Sequence, residues 1–350
     1  MRHILKAGMI ASVAAFALNL APAAQAADPV TIKAVGTWGN LTNYTKHEGP
    51  FWNETLAKET GGALKGEIKP QTELGLKGFE IMRLLKQGVF DYAHGVMGYV
   101  SAENAMFDGV DLSSLAQDIG TARKIVDAYM PVMATKFEEI YDSKLLQLYP
   151  FPSQNLWCNA EISSIDDLKG KKVRTYTASL ADFVEGVGGT SVTVAFAEVI
   201  PALQKGVVDC GITGSMPAYN AKWYQSATHA YTMRVGWGMA FGAINLKKWN
   251  SMTPAQQKML QSEVDKLTDR MWTETAKEDA LAIQCLTGKE CSLGPVGGMK
   301  LVEPSADDIK KQKKIAQDVV VANWAKRCDA ECVKTWNEVV GPIVGITAKK

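Results

Sequence analysis

Two neighbouring stretches decide the fold: Ile165-Asp166-Asp167-Leu168-Lys169-Gly170-Lys171-Lys172-Val173-Arg174, and Val194-Ala195-Phe196-Ala197-Glu198-Val199-Ile200-Pro201-Ala202-Leu203-Gln204-Lys205-Gly206-Val207-Val208-Asp209. Lys172–Tyr176 alternates as a strand does. Leu180–Val187 carries a helical apolar face and stops at Gly188-Gly189. Val192–Ala195 reads as a strand, Glu198–Lys205 as a helix stopped by Gly206, and Val207–Cys210 as another strand. Strands that alternate with helices in this way predict a mostly parallel sheet with helices on its faces.

Working outward, the first half shows the same pattern. Thr31–Val35 predicts a strand, followed by the loop Gly36–Asn40. A helix is expected over Gly49–Thr60, with Pro50 near its start and Gly61-Gly62 as its stop. Glu67–Pro70 predicts a strand, Phe79–Gln87 a helix ended by Gly88, and Val89–Ala93 a strand. Leu84-Leu85-Lys86-Gln87-Gly88-Val89-Phe90-Asp91 matches Ala202–Asp209 at an offset of 118 residues. Two similar α/β units imply two lobes with a cleft between them, where ligands favour binding. A capping box, Thr253-Pro254-Ala255-Gln256, opens a further helix. Its apolar face, Leu260, Val264, Leu267 and Met271, continues to about Leu286. That is ~45–50 Å at 1.5 Å per residue, enough to cross both lobes. Asp307–Asn337 predicts another helical stretch. The expected division is residues 1–26 as a signal peptide, 27–152 plus about 240–284 as the first lobe, and 153–239 plus about 285–350 as the second.

The chain has 350 residues, 47% apolar and 21% charged, with a net charge of +1. No basic excess points to nucleic acid, and four His leave little material for a histidine metal site. Arg2 and Lys6, the apolar run Ala7–Leu20 and Ala24-Gln25-Ala26 form a secretory signal, with cleavage expected before Ala27. The run is shorter than the ~20 residues that span a bilayer. Export places six cysteines in an oxidising compartment. Cys285 with Cys291, and Cys328 with Cys332, read as two local disulfides. Cys158 and Cys210 read either as a third bridge between neighbouring strands or as buried thiols. No spacing fits a zinc site.

No nucleophile elbow, dinucleotide fingerprint, phosphate loop or zinc-protease motif occurs, and His47, His94 and His229 stand apart from one another. Neither a cofactor nor a metal is expected, and catalysis is not expected.

The opening stretches resemble the solute-binding proteins of TRAP (tripartite ATP-independent periplasmic) transporters, the DctP-like family. There the pattern runs D-L-K-G-x-K-h-R, then a Glu-containing helix ending A-L-Q-x-G-x-V-D. The N-terminal half adds Thr60-Gly61-Gly62, then Pro70-Gln71 and Glu73-Leu74-Gly75, similar to the family's P-x-x-Q-L-G region. The resemblance implies a periplasmic two-lobed α/β binding protein with a long helix spanning both lobes. It would capture an organic acid and deliver it to membrane permease subunits. The resemblance also implies that Arg174 forms a bidentate salt bridge to the ligand carboxylate. A planar guanidinium fork suits that task; the bland alternative is a surface Arg paired with a nearby acid. A second family Arg falls on Gln154 here, and a family Asn on Thr213. Both keep hydrogen bonding, and the first lowers the positive charge, which predicts a monocarboxylate.

Aromatic and thioether residues gather near the expected cleft: Trp38, Tyr44, Met97, Tyr99, Trp157, Tyr176, Phe196, Met216, Tyr219 and Trp237. Each alone reads equally well as core. Together they suggest a flat apolar wall that suits an aromatic or bulky acid, or a stacked sugar acid. Glu198 either orients the Arg, caps its helix or is simply solvated. The competing functions are a solute-binding protein of another importer or a sensor, and a periplasmic enzyme using the same cleft.

Overall fold

The computed structural model describes residues 28–350; the expected signal peptide lies outside them. Two mixed sheets stand side by side. The first contains β1 (Val30–Gly36), β2 (Leu64–Pro70), β3 (Tyr92–Val96) and β4 (Ser143–Tyr149). The second contains β5 (Gln154–Cys158), β6 (Lys172–Thr175), β7 (Thr190–Thr193), β8 (Cys210–Gly214) and β9 (His229–Gly236). β10 (Ala240–Asn245) returns to the first sheet, and β11 (Lys300–Val302) edges the second. The orders are β2-β1-β3-β10-β4 and β11-β9-β5-β8-β6-β7.

The sheets are less parallel than the β/α alternation predicts. β1 is parallel to β2 and β3, and β6 to β7 and β8, as expected. β10 and β5, however, run antiparallel to both of their neighbours. The cause is the pair of crossings. The chain leaves one sheet at Tyr149 and enters the other at Gln154, then returns between Gly236 and Ala240. The chain therefore runs out along β4 and β5 and back along β9 and β10, so the outgoing and returning strands lie antiparallel in each sheet.

The repeat at 118 residues has a role other than the one its sequence suggests. Val89 and Val207 do not open strands; they are exposed turn residues. Gly88 and Gly206 take φ of +74° and +67°, and the strands start later, at Tyr92 and Cys210. Asp91 and Asp209 lock each strand entry. The Asp91 carboxylate accepts the Lys33 N–H (2.9 Å), while its own N–H donates to the Lys33 carbonyl. Asp209 makes the same pair of bonds to Lys172 (2.8 Å to its carboxylate). Alternation marked these segments as strands, but a two-residue turn and an aspartate clamp account for them better.

The capped helix runs Pro254–Thr287, 34 residues, with both halves of its Thr253/Gln256 capping box formed. At ~1.5 Å per residue it is about 51 Å long. It packs on β4 in the first lobe and on the helix Ser215–Asn220 in the second. The helix expected over Gly49–Thr60 begins earlier, at Asn43, and is widely wound over Asn43–Glu48 and Phe51–Thr55 before Leu56–Glu59. The C-terminal stretch begins as expected at Ala306 but breaks at Cys328 before Ala330–Val339. The helix Ile119–Tyr141, which contains Pro131, has no counterpart among the expected elements. All six cysteines are paired: Cys158–Cys210, Cys285–Cys291 and Cys328–Cys332. The first joins facing residues of β5 and β8, which resolves the alternative between bridge and thiols.

Candidate ligand-binding site

Between the sheets lies a small cleft of about 30 Å³. Strand and helix ends from both lobes build it, because backbone that terminates at a sheet edge leaves side chains free to converge. Trp38 follows β1, Tyr99 follows β3, Gln154 opens β5, Arg174 sits in β6 and Thr213 in β8.

Arg174 is almost wholly buried, at 1% exposure. Its Nε–H donates to the Val194 carbonyl (2.8 Å) and one Nη1–H to the Ile212 carbonyl (2.7 Å). These bonds fix the fork. Nη2 donates to no carbonyl or carboxylate among the described residues, and the titratable groups beside the guanidinium are the neutral phenols of Tyr99, which is within hydrogen-bond reach, and Tyr176. Burial lowers its pKa, yet a guanidinium keeps its proton under any ordinary condition. The guanidinium carbon lies 4.8 Å from the Tyr176 ring centre. This arrangement is a buried cation, held in place by neutral groups, with unspent donors. An unpaired buried charge is costly, and an anion entering the cleft would supply the missing partner.

The rest of the lining is neutral. The Tyr176 hydroxyl donates to Gln154 Oε1 (2.8 Å), and Gln154 Nε2 donates to the Pro152 carbonyl (3.0 Å). Burial raises the Tyr176 and Tyr99 phenols, so both stay protonated. Trp38 packs against Phe196 (ring centres 5.1 Å), Tyr99 (6.0 Å) and Phe151 (6.4 Å). Its indole N–H is buried and finds no acceptor among the described residues.

The lobes are closed upon one another. The Phe196 N–H donates to the Tyr99 hydroxyl (3.1 Å), and Phe79 stacks on the outer face of Tyr99 (4.1 Å). Lys77 pairs with Glu198 (2.6 Å) at the rim. Glu198 therefore neither contacts the Arg nor caps its helix; it is the solvated residue among the alternatives, paired with Lys77 across the lobes. At the crossing, Asp111 accepts the N–H groups of Trp237 (3.1 Å) and Gly238 (2.7 Å).

Seven of the ten candidate residues converge on this cleft: Trp38, Tyr99, Gln154, Arg174, Tyr176, Phe196 and Thr213. Met97, Met216 and Trp237 do not line it. Met97 is buried at the start of the helix Met97–Val100 that also carries Tyr99, with its N–H bonded to the Met239 carbonyl. Met216 is buried in the helix Ser215–Asn220, where its neighbour Pro217 takes the lining position. Trp237 turns its indole N–H to the Ala116 carbonyl and packs against Arg234. Tyr44, Trp157 and Tyr219 also stand outside the lining; Trp157 braces it by donating to the Thr213 carbonyl. Leu41, Val96, Phe151, Pro217 and Gly238 line the cleft without having been expected. Only Phe151, between Pro150 and Pro152 at the crossing, carried a signal in the sequence. Among the described residues, no three His, Cys, Asp or Glu side chains are grouped to hold a metal ion.

Residues 36–327 match the model of bacterial extracellular solute-binding protein family 7, DctP. The chain belongs to that family. It is similar to the C4-dicarboxylate-binding periplasmic protein DctP of Rhodobacter capsulatus, 23% identical over 278 residues, 79% of this chain and 83% of that protein. It is also similar to the Salmonella typhimurium protein YiiZ, 26% identical over 233 residues, 61% of this chain and 66% of YiiZ. Among solved structures, DctP7 of Bordetella pertussis, an extracytoplasmic solute receptor binding pyroglutamic acid, superposes with a TM-score of 0.80 at 19% identity, covering 89% of this chain and 99% of that one. The resemblance to TRAP solute-binding proteins thus holds for family and fold alike. The family 7 chain described here has the two lobes, the intervening cleft and the long helix expected of it.

Proposed function

We propose that this family 7 protein is exported by its signal peptide, captures a compact monocarboxylate on Arg174 and delivers it to TRAP permease subunits, performing no chemistry on it. The observation that carries this reading is the buried guanidinium without an anionic partner. Among the described residues, Arg174 supplies the only charge in the lining. One carboxylate would neutralise it, whereas a second would be buried unpaired at a cost of several kcal/mol. For the same reason an α-ammonium group finds no carboxylate here. At about 30 Å³ the closed cleft lies well below the ~300–1,000 Å³ range of ligand pockets, which favours a compact acid over a bulky one. The free Trp38 N–H favours a second, neutral acceptor on the ligand, such as a carbonyl. Pyroglutamic acid, the ligand of the Bordetella receptor, combines these features. The C4-dicarboxylates bound by the Rhodobacter relative have one carboxylate too many for this lining.

The test is a thermal-shift and calorimetric panel on the mature chain. It would contain pyroglutamate, 2-oxo acids, their amino-acid counterparts, C4-dicarboxylates and sugar acids, with Arg174→Ala in parallel. We expect a monocarboxylate to bind, with loss of roughly a hundredfold or more in affinity in the variant, the scale of removing one partner of a buried charge pair. Preferential binding of dicarboxylates, or binding indifferent to Arg174, would sink the assignment.

A further inference from the structure

Behind the cleft wall, five polar side chains form one connected, buried chain that ligand capture does not use directly. We propose that Glu48 is a positioning residue for the cleft: as a carboxylate it ties the loop bearing Trp38 to the end of β4, from which Phe151 enters the cleft wall two residues later.

The direction of every hydrogen bond in the chain follows from its first member. An indole can only donate, and Trp52 Nε1–H donates to His94 Nε2 (2.9 Å). The neutral His94 proton therefore sits on Nδ1. Nδ1 lies 3.1 Å from the Tyr149 hydroxyl oxygen, to which it must donate. The proton of Tyr149 is then committed to Glu48 Oε1 (2.9 Å). On its far side, Glu48 Oε2 accepts the Thr37 N–H (2.7 Å), and Oε1 accepts the Thr37 hydroxyl (2.9 Å). Every neighbour is a donor, so Glu48 must offer two bare oxygens. It sits in the widely wound helical segment Asn43–Glu48, with 0% of its side chain exposed. Thr37 precedes Trp38, and Tyr149 is the last residue of β4. One carboxylate thus joins the two segments that deliver Trp38 and Phe151 to the same wall, where their rings stand 6.4 Å apart.

A proton added to Glu48 would remove one acceptor site. Only the Thr37 hydroxyl can turn round to receive it, because Tyr149 is held in its sense by His94. Protonation therefore acts on the Trp38 side of the network. The titratable groups facing Glu48 are Tyr149 on β4, His94 and Tyr92 on β3, and Tyr44 on its own segment. Burial pushes His94 down to about 3 and raises all three phenols. Burial pushes Glu48 up to about 7, which leaves it as the member of this cluster that changes charge between pH 5 and 9.

The test uses the ligand-free mature chain labelled with 5-fluorotryptophan, so its outcome does not depend on the assignment of Arg174. The Trp38 fluorine resonance is identified by its loss in Trp38→Phe. Trp336, buried and bonded to the Gly109 carbonyl, serves as the internal control. We expect the Trp38 resonance to titrate in one step with a midpoint between roughly pH 6 and 8 while Trp336 stays still. Glu48→Gln, which has one acceptor oxygen where two are needed, should abolish the step. Tyr149→Phe removes a bond to the ionised form and should move the midpoint up by about one unit. A Trp38 resonance that does not titrate between pH 5 and 9, or a step that survives Glu48→Gln, overturns the proposal. Should Glu48→Gln not fold, an unchanged midpoint in Tyr149→Phe overturns it, and an upward shift supports it.

Discussion

At the scale of single residues, the cleft is built from charges placed where water does not reach. Arg174 is one; Asp111, half-buried behind the lining at the return crossing, is a second ionisable group with a shifted balance. Burial pushes Asp111 from its ordinary 3.8 up to about 7, outweighing the Trp237, Gly238 and Met239 N–H groups that favour its ionised form. The sign for stability follows by linkage. A carboxyl whose folded pKa is raised favours the fold fully below its unfolded value, and that contribution fades as pH rises through the folded value. Between pH 5 and 8 the wild type should therefore lose stability relative to Asp111→Asn, with the difference levelling off above about pH 8. Urea unfolding of both proteins at several pH values reads this directly. A difference that stays constant across the range would mean that Asp111 does not titrate there.

At the scale of elements, the two aspartate clamps are the clearest case of one local solution used twice. Each turn reverses through a glycine with positive φ, and each aspartate accepts a backbone N–H of the neighbouring strand, Lys33 within β1 and Lys172 at the start of β6. Such side-chain acceptors at element entries contribute ~1 kcal/mol. Asp209→Ala should lower the unfolding free energy by about that amount, and Asp209→Asn, which keeps an acceptor oxygen, by much less. Asp91→Ala should add to it independently, since the clamps sit on different sheets. Unfolding free energies from urea titrations of the two single variants and the double variant test this, and strong non-additivity would show that the two clamps are energetically coupled.

At the scale of the whole molecule, closure depends on close approach rather than on surface charge. The Lys77–Glu198 pair is well exposed, at 62% and 49% of the two side chains, and such pairs contribute little. Gly98 matters more. A Cβ there would lie 2.1 Å from the Thr177 methyl across the lobes. Thr177 cannot simply rotate away, because its hydroxyl caps the helix Ala178–Gly186 by accepting the Leu180 N–H. Gly98→Ala should leave unfolding stability within about 0.5 kcal/mol, since the open form has room for the methyl. It should weaken binding of the acid identified by the panel by tenfold or more, about 1.4 kcal/mol, and small-angle scattering with that acid should show less contraction than in the wild type. Wild-type affinity in this variant would show that Thr177 yields.

What the sequence determined by itself was local and repetitive. The β/α alternation, the capping box at Thr253, the cysteine pairs close in sequence and the strand that carries Arg174 all follow from short-range patterns. Hydrogen-bond geometry and periodicity act over a few residues, so such patterns are legible without the fold. The tertiary structure alone decided which residues face the cleft. Leu41, Val96 and Gly238 carry no chemistry that distinguishes them, and Met97, Met216 and Trp237 resemble lining residues yet serve the core. Glu48, His94 and Tyr149 are scattered over a hundred residues of chain, and only the stacking of β1, β3 and β4 brings them within hydrogen-bond reach. The strand shifts at Val89 and Val207 have the same origin: alternation sees only the side chain, whereas the aspartate clamps depend on a backbone N–H supplied by another strand.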